Sequence, residues 1–207
     1  MSARTATTAS PRRRRAPSEP RASLGPDDWI SAATALLASK GVDAVRVDVL
    51  AKRIGVTRGS FYWHFKDRDD LLSRVLQAWR DGATEQVISR FERQGATPLE
   101  LMREVMSLPF RGRSAVEAAS VELAIRAWAR HDEMARQRLD EVDAQRLSYI
   151  AQGLTALGFP IAEARLRAFA LYGWQVAESL LQQHGGAAQR AERRAFMEQL
   201  LLGKATS

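Results

Sequence analysis

A chain of 207 residues, 45% hydrophobic and 27% charged, has room for one large or two small domains and a sizeable buried core. Having no cysteine excludes disulfides and thiolate metal sites and fits a reducing compartment, and no apolar run approaches the roughly 18 residues that span a bilayer. Residues 1–66 hold 12 Lys and Arg against 5 Asp and Glu, and residues 67–207 hold 19 against 19, so the whole +7 excess sits in the first third and aims that end at a polyanion, DNA or an anionic membrane surface.

Residues 1–25 read as a disordered, arginine-rich arm. They contain Pro11, Pro17 and Pro20 among Ser, Thr and Ala, with few large apolar groups to offset the entropy of ordering. The run Arg12–Arg15 suits a minor groove or condensation on phosphates. A free tail, or a start codon placed too early, fits it equally. No apolar segment follows the basic stretch, which disfavours a secretory signal, and the resemblance to an organellar transit peptide goes no further than composition.

From Pro26 the punctuation is helical. Pro26, Asp27 and Asp28 open a first helix whose Trp29, Ile30, Ala33, Leu36 and Leu37 recur at helical spacing until Gly41. Short helices are predicted at about 47–54 and 58–64, separated by Gly55-Val56-Thr57. Asp67 and Asp70 open a long helix running to Gln94, which at about 1.5 Å per residue would span roughly 40 Å and act as a lever between domains. Thr97-Pro98-Leu99-Glu100 has the residues of a capping box, and helices follow at about 98–109, 114–130, 133–157, 161–184 and 187–202. The fold class is therefore all-α, in about nine helices. The domains read as the arm at 1–25, a three-helix DNA-binding unit at 26–72, and a larger helical unit for effector binding and dimerisation at 73–207.

Between Val47 and Lys66 the residue types meet the demands of a helix-turn-helix: Ala51 where two helices cross, Gly55 in the turn, and Leu50, Ile54, Val56 and Phe61 as anchors. With Phe61 and Phe65 four apart and inward, Arg58, Ser60, Tyr62, Trp63 and His64 face out behind Thr57. This set of donors and aromatics suits a major groove and its flanking phosphates. Trp63 reads either as such a contact or as a cap on the small domain. Lys52 and Arg53 read as a solvated face. His64 has no second ligand near it in sequence, so no metal site is expected.

Residues 51–71, Ala-Lys-Arg-Ile-Gly-Val-Thr-Arg-Gly-Ser-Phe-Tyr-Trp-His-Phe-Lys-Asp-Arg-Asp-Asp-Leu, resemble the signature of the TetR family of bacterial transcriptional regulators. The likeness is clear over about residues 27–75 and joins the turn, the aromatic block and the following helix start at fixed spacing. It implies that Tyr62, His64 and Lys66 bind phosphates, and that Arg68 does so where the family usually has lysine. It also implies base contacts from Arg58 and Ser60, close backbone approach at Gly59, and contacts from Arg46 to the backbone and Val47 to a thymine methyl.

The C-terminal two-thirds is less distinctive. Leu166, Phe169, Gly173, Val176 and Leu180 form one apolar stripe on the helix 161–184, and Leu171, Trp174 and Leu181 form another. A helix apolar on two sides is buried on two sides. Together with Phe196 and Leu200 of the last helix, the first stripe is expected to build a homodimer interface, as it does in the family. Met102, Met106, Phe110, Trp128 and Tyr149 are the candidate lining of an effector pocket, though each is also an ordinary core residue. The zero net charge of this part hints at a neutral or apolar effector. No catalytic motif is found: His131 and His184 stand alone at helix ends, and no cofactor is implied. The expected function is a dimeric, cytoplasmic, nucleoid-associated repressor that leaves a palindromic double-stranded operator when a small molecule binds. The alternative is a nonspecific or architectural DNA binder acting through the arginine arm.

Overall fold

The computed structural model describes residues 24–181 and 184–203, and these are helical throughout with no strand. The arm with Arg12–Arg15 lies outside the described residues. Helix α1 (Pro26–Lys40) opens with the Gly25 amide donating to Asp28 Oδ2 at 2.7 Å and closes at Gly41, φ 80°. A short 3₁₀ turn (Val42–Ala44) leads to α2 (Val47–Ile54) and α3 (Arg58–Phe61). Then come α4 (Arg68–Arg80), α5 (Gln86–Arg93), α6 (Pro98–Ser107), α7 (Arg113–Trp128), α8 (Glu133–Ala156), α9 (Ile161–Leu180) and α10 (Ala187–Leu202).

The lever expected at 67–94 is α4 and α5 in series, joined by a π turn at Asp81–Glu85 in which the Gln86 amide reaches back five residues to the Asp81 carbonyl. The α3 helix is shorter than the predicted 58–64. Tyr62–His64 leave it in a tight turn, with the His64 and Phe65 amides both bonded to the Phe61 carbonyl at 3.0 Å.

Buried side chains form two clusters. The first joins Trp29, Leu36 and Leu37 of α1 to Leu50, Phe61, Phe65, Leu71, Leu72 and Trp79. It continues into Ile125, Trp128, Leu139 and Val142 of α7 and α8, past residue 72. Helices α1–α4 therefore share one core with the larger helical unit, so motion of α4 is felt by α1 directly. Trp128 belongs here at 6% exposure. The second cluster holds Phe91, Met102, Met106, Ile150, Leu154, Leu171 and Tyr172.

Met102 and Met106 are fully buried in that second cluster. Met102 is seated against Gly153 of α8, where any Cβ would collide with its thioether end. Methionine fills irregular gaps well, and these two act as packing rather than cavity wall. Phe110 is half-buried and pairs with Trp174, ring centroids 5.8 Å apart.

The last two helices are clamped together by charge. Arg193 holds the buried Glu178 carboxylate through two bonds of 2.7 and 2.8 Å, which keep its pKa below the usual carboxylate range. Arg167 donates to the Leu200 and Leu201 carbonyls at 2.9 and 2.8 Å, at the α10 C-terminus where cations are favoured. Among the described residues no helix is long and apolar enough to cross a membrane.

Candidate nucleic-acid interface

The turn between α2 and α3 is built on Gly55, whose φ of 76° and ψ of 33° put it in the left-handed region. A side chain there would cost roughly 1–2 kcal/mol. The turn is closed by the Val56 amide bonded to Ala51 O at 3.0 Å. Phe61 and Phe65 then fix the second helix from beneath. They stack at 5.2 Å, and Trp29 meets Phe61 edge-on at 5.2 Å. Both phenylalanines are at most 2% exposed, so the opposite face of α3 is held outward on a packed base.

That face carries Thr57, Arg58 and Gly59, all exposed, and Ser60, half-buried. Thr57 makes no side-chain capping bond, while the Ser60 hydroxyl donates to the Thr57 carbonyl at 2.8 Å. Tyr62 is 58% exposed, Trp63 86%, and His64 is half-buried against the Phe65 ring edge. At 86% exposure Trp63 does not cap the small domain. Lys66 is exposed and its amide donates to Asp70 Oδ2 at 3.0 Å. Asp67 accepts from the Asp70 amide at 2.9 Å, so α4 starts from two reciprocal caps. That amide from Lys66, with Arg74, holds the Asp70 carboxyl below its ordinary pKa.

Of three further expected contacts, Arg68 and Val47 have partners inside the chain and Arg46 stays exposed. Arg68 is turned onto the α1–α2 connection, donating to Val45 O and Val42 O at 2.7 Å each. With those bonds made, it braces the helix-turn-helix instead of standing free for a phosphate. Val47 is half-buried against the first core, whereas Val49 on the same helix is 38% exposed. Arg46 is exposed and paired with Asp48 at 3.3 Å, a weak surface pair that a phosphate can displace.

Residues 30–75 match the family described as bacterial regulatory proteins, tetR family. Over that segment, less than a quarter of its length, the chain is similar to the TetR family. The regulator AcrR of Shigella flexneri is 32% identical over 77 residues, covering 37% of this chain and 36% of AcrR. The matched part is thus about a third of that relative's length. Solved structures extend the likeness in fold over most of the chain. A regulator from Saccharomonospora viridis in complex with choline has a TM-score of 0.72 at 16% identity, covering 86% of this chain and 96% of that one. FadR from Bacillus subtilis, in complex with stearoyl-CoA, has a TM-score of 0.62 at 22% identity, covering 86% and 97%.

Charge is distributed less simply in this chain than the first-third excess suggests. Residues 24–66 hold 6 Lys and Arg against 4 Asp and Glu, so most of the surplus belongs to residues 1–23. The outward face around α3 therefore has few local cations beyond Arg46, Lys52, Arg53, Arg58 and Lys66, and Tyr62 and Trp63 stand exposed among them.

A cavity of about 330 Å³ lies under the π turn, between α5, α7, α8 and α9. Of the expected pocket residues, Tyr149 lines it; Met102, Met106, Phe110 and Trp128 do not. Its walls include Val87, Ile88, Leu108, Ala118, Ala119 and Val176, and among its polar groups Arg90, Arg111 and Arg146 outnumber the one carboxylate, Glu122. Sequence reasoning missed this set. The spacing of Glu122 and Arg126 was a visible signal, an i,i+4 pair closing at 2.9 Å, but nothing local marks Arg146 as its partner.

The expected dimer surface stands open in one chain. Leu166 is 74% exposed, Phe169 71%, Leu180 63%, Phe196 64% and Leu200 54%, and Gly173 lies exposed among them. Val176 differs, being half-buried and part of the cavity wall.

Proposed function

We propose that this protein is a dimeric, cytoplasmic transcriptional repressor that grips a palindromic double-stranded operator and releases it when a small, uncharged or apolar effector binds its helical unit. The observation that carries the reading is the outward face of Thr57–His64, held on a buried Phe61–Phe65 base with Trp63 almost fully exposed. Arg58 is the base-reading residue, since an exposed guanidinium at the start of α3 has the fork that matches guanine O6 and N7. Tyr62, His64 and Lys66 contact phosphates and set register. Gly173 among the exposed apolar side chains of α9 and α10 lets a second copy approach closely, and the two-fold pairing of helices places two α3 helices on one face of the duplex. The small-molecule complexes of the choline-bound and stearoyl-CoA-bound neighbours support an effector site in the helical unit.

The test is selection of preferred duplexes from a random library, followed by titration of the enriched site with the protein and its Arg58→Ala variant. The variant should fold normally, lose about 1–3 kcal/mol on the enriched site, and no longer discriminate at one base pair of each half-site. Equal losses on every sequence would make Arg58 a phosphate contact, and no loss would remove it from the interface.

A further inference from the structure

One side chain ties the two ends of the helix-turn-helix together. Arg68, the first residue of α4, donates from Nε to the Val45 carbonyl and from Nη2 to the Val42 carbonyl, each at 2.7 Å. Val45 stands directly before Arg46, which caps α2, and α4 is the helix that follows α3. The Val45 bond spans 23 residues and closes a ring that contains α2, the Gly55 turn and α3. Phe61 and Phe65 support this ring through apolar contact, which resists separation but has no preferred direction. The two bonds from Arg68 are directional and resist rotation.

Both anchor points are themselves held. Val45 is fully buried, and its amide closes the 3₁₀ turn on the Val42 carbonyl at 3.0 Å. At the other end Asp67 caps α4 through the Asp70 amide, and the Lys66 amide bonds back to Asp70. The remaining guanidinium nitrogen, Nη1, lies 4.0 Å from Asp69 Oδ1, so a phosphate brought to Arg68 would also face that carboxylate. A lysine here would keep the charge but lose the planar fork, and with it the two-point hold.

We propose that Arg68 is a positioning residue for DNA reading: it touches no part of the duplex, and its hold on the α1–α2 connection sets the angle at which α3 presents Arg58 to base edges. Attraction between Lys66 and a phosphate varies slowly with distance and survives a small rotation of α3. A two-bond contact to a base edge does not, because both bonds must align at once. Loss of the hold therefore removes selectivity while general DNA affinity remains. The inference rests on the regulator reading for its effect on DNA, and the hold itself is measured without DNA.

The full chain is compared with Arg68→Lys and Arg68→Ala. Amide hydrogen exchange of the free proteins is followed over residues 42–50. Titrations at several salt concentrations use the enriched duplex and a scrambled duplex of equal length. Exchange over 42–50 should quicken in both variants. Affinity for the enriched duplex should fall at least about tenfold and affinity for the scrambled one should stay within about twofold, with the salt slope unchanged. Arg68→Lys should not restore the parent's selectivity. A phosphate contact gives the opposite pattern: Arg68→Lys binds like the parent, and Arg68→Ala loses affinity equally on both duplexes with the slope reduced by about 0.9 per protomer. Either of those results overturns the proposal, as does parent-like exchange in both variants. Parent-like affinity on both duplexes with only a lower Tm would make Arg68 a stabilising residue and overturn it too. Should Arg68→Ala not fold, Arg68→Lys decides alone. If the parent enriches no duplex, the regulator reading fails, and the exchange data still decide whether the hold exists.

Discussion

Replacing Gly59 by alanine should leave the fold intact, or slightly more stable, while operator affinity falls at least about tenfold, a change of about 1.4 kcal/mol. Gly59 sits in α3 with no positive φ, and an added Cβ would meet the Thr57 hydroxyl oxygen at 3.7 Å, an ordinary contact. Nothing inside the chain therefore requires glycine there, and alanine is the better helix former by roughly 0.5–1 kcal/mol. In a chain of this size that gain raises Tm by up to about 2–4 °C. If glycine is present because DNA backbone or a base edge comes within van der Waals distance of α3, stability and binding move in opposite directions. Thermal unfolding and titration on the same preparation give both readings. Unchanged affinity in a well-folded variant would mean that the duplex stays clear of residue 59.

Phe169→Asp should turn the dimer into a folded monomer and reduce operator affinity by about two to four orders of magnitude. The side chain is 71% exposed beside Leu166 at 74%, so in the isolated chain the change is a surface substitution of little consequence, roughly within 0.5 kcal/mol. At a two-fold axis the same change sets two carboxylates in an apolar seam. The DNA effect follows from lost linkage: two tethered reading heads gain about 10²–10⁴ over one. Arg167, bonded to the Leu200 and Leu201 carbonyls, holds α10 against α9, so Phe196 and Leu200 extend the same surface. Sedimentation and titration should show loss of dimer and of affinity together, while Phe169→Leu keeps both. A Phe169→Asp protein that remains dimeric would move the interface elsewhere.

The helical punctuation was readable because it is local. Gly41, Gly55, Gly95 and Gly158 end helices or form turns at positive φ, a conformation other residues resist, so each stop is written in a single residue type. The outward face of α3 was readable for a similar reason, since two phenylalanines four apart define what lies opposite them. What escaped depends on distant partners. Asp81-Gly82-Ala83-Thr84-Glu85 reads as uninterrupted helix, and it is Arg146, 62 residues away from Thr84, that bonds the π turn in place. The cavity was sought among bulky side chains, yet bulky groups such as Met102 fill space; the opening lies beside Ala115, Ala118 and Ala119, where side chains are small. Arg68 looked like a phosphate contact because its position and charge suit one. That its donors meet two backbone carbonyls across the domain is a fact of three dimensions.

Operator binding of the proposed kind requires two α3 helices to enter successive turns of one duplex. Hydroxyl-radical footprinting of the dimer on its selected site measures this directly. The expected result is two protected half-sites related by a two-fold axis, with centres about 34–36 Å or slightly more apart, and both lost together in Tyr62→Ala. A single unsymmetrical footprint, or a symmetric one that survives Tyr62→Ala in a folded dimer, would contradict it.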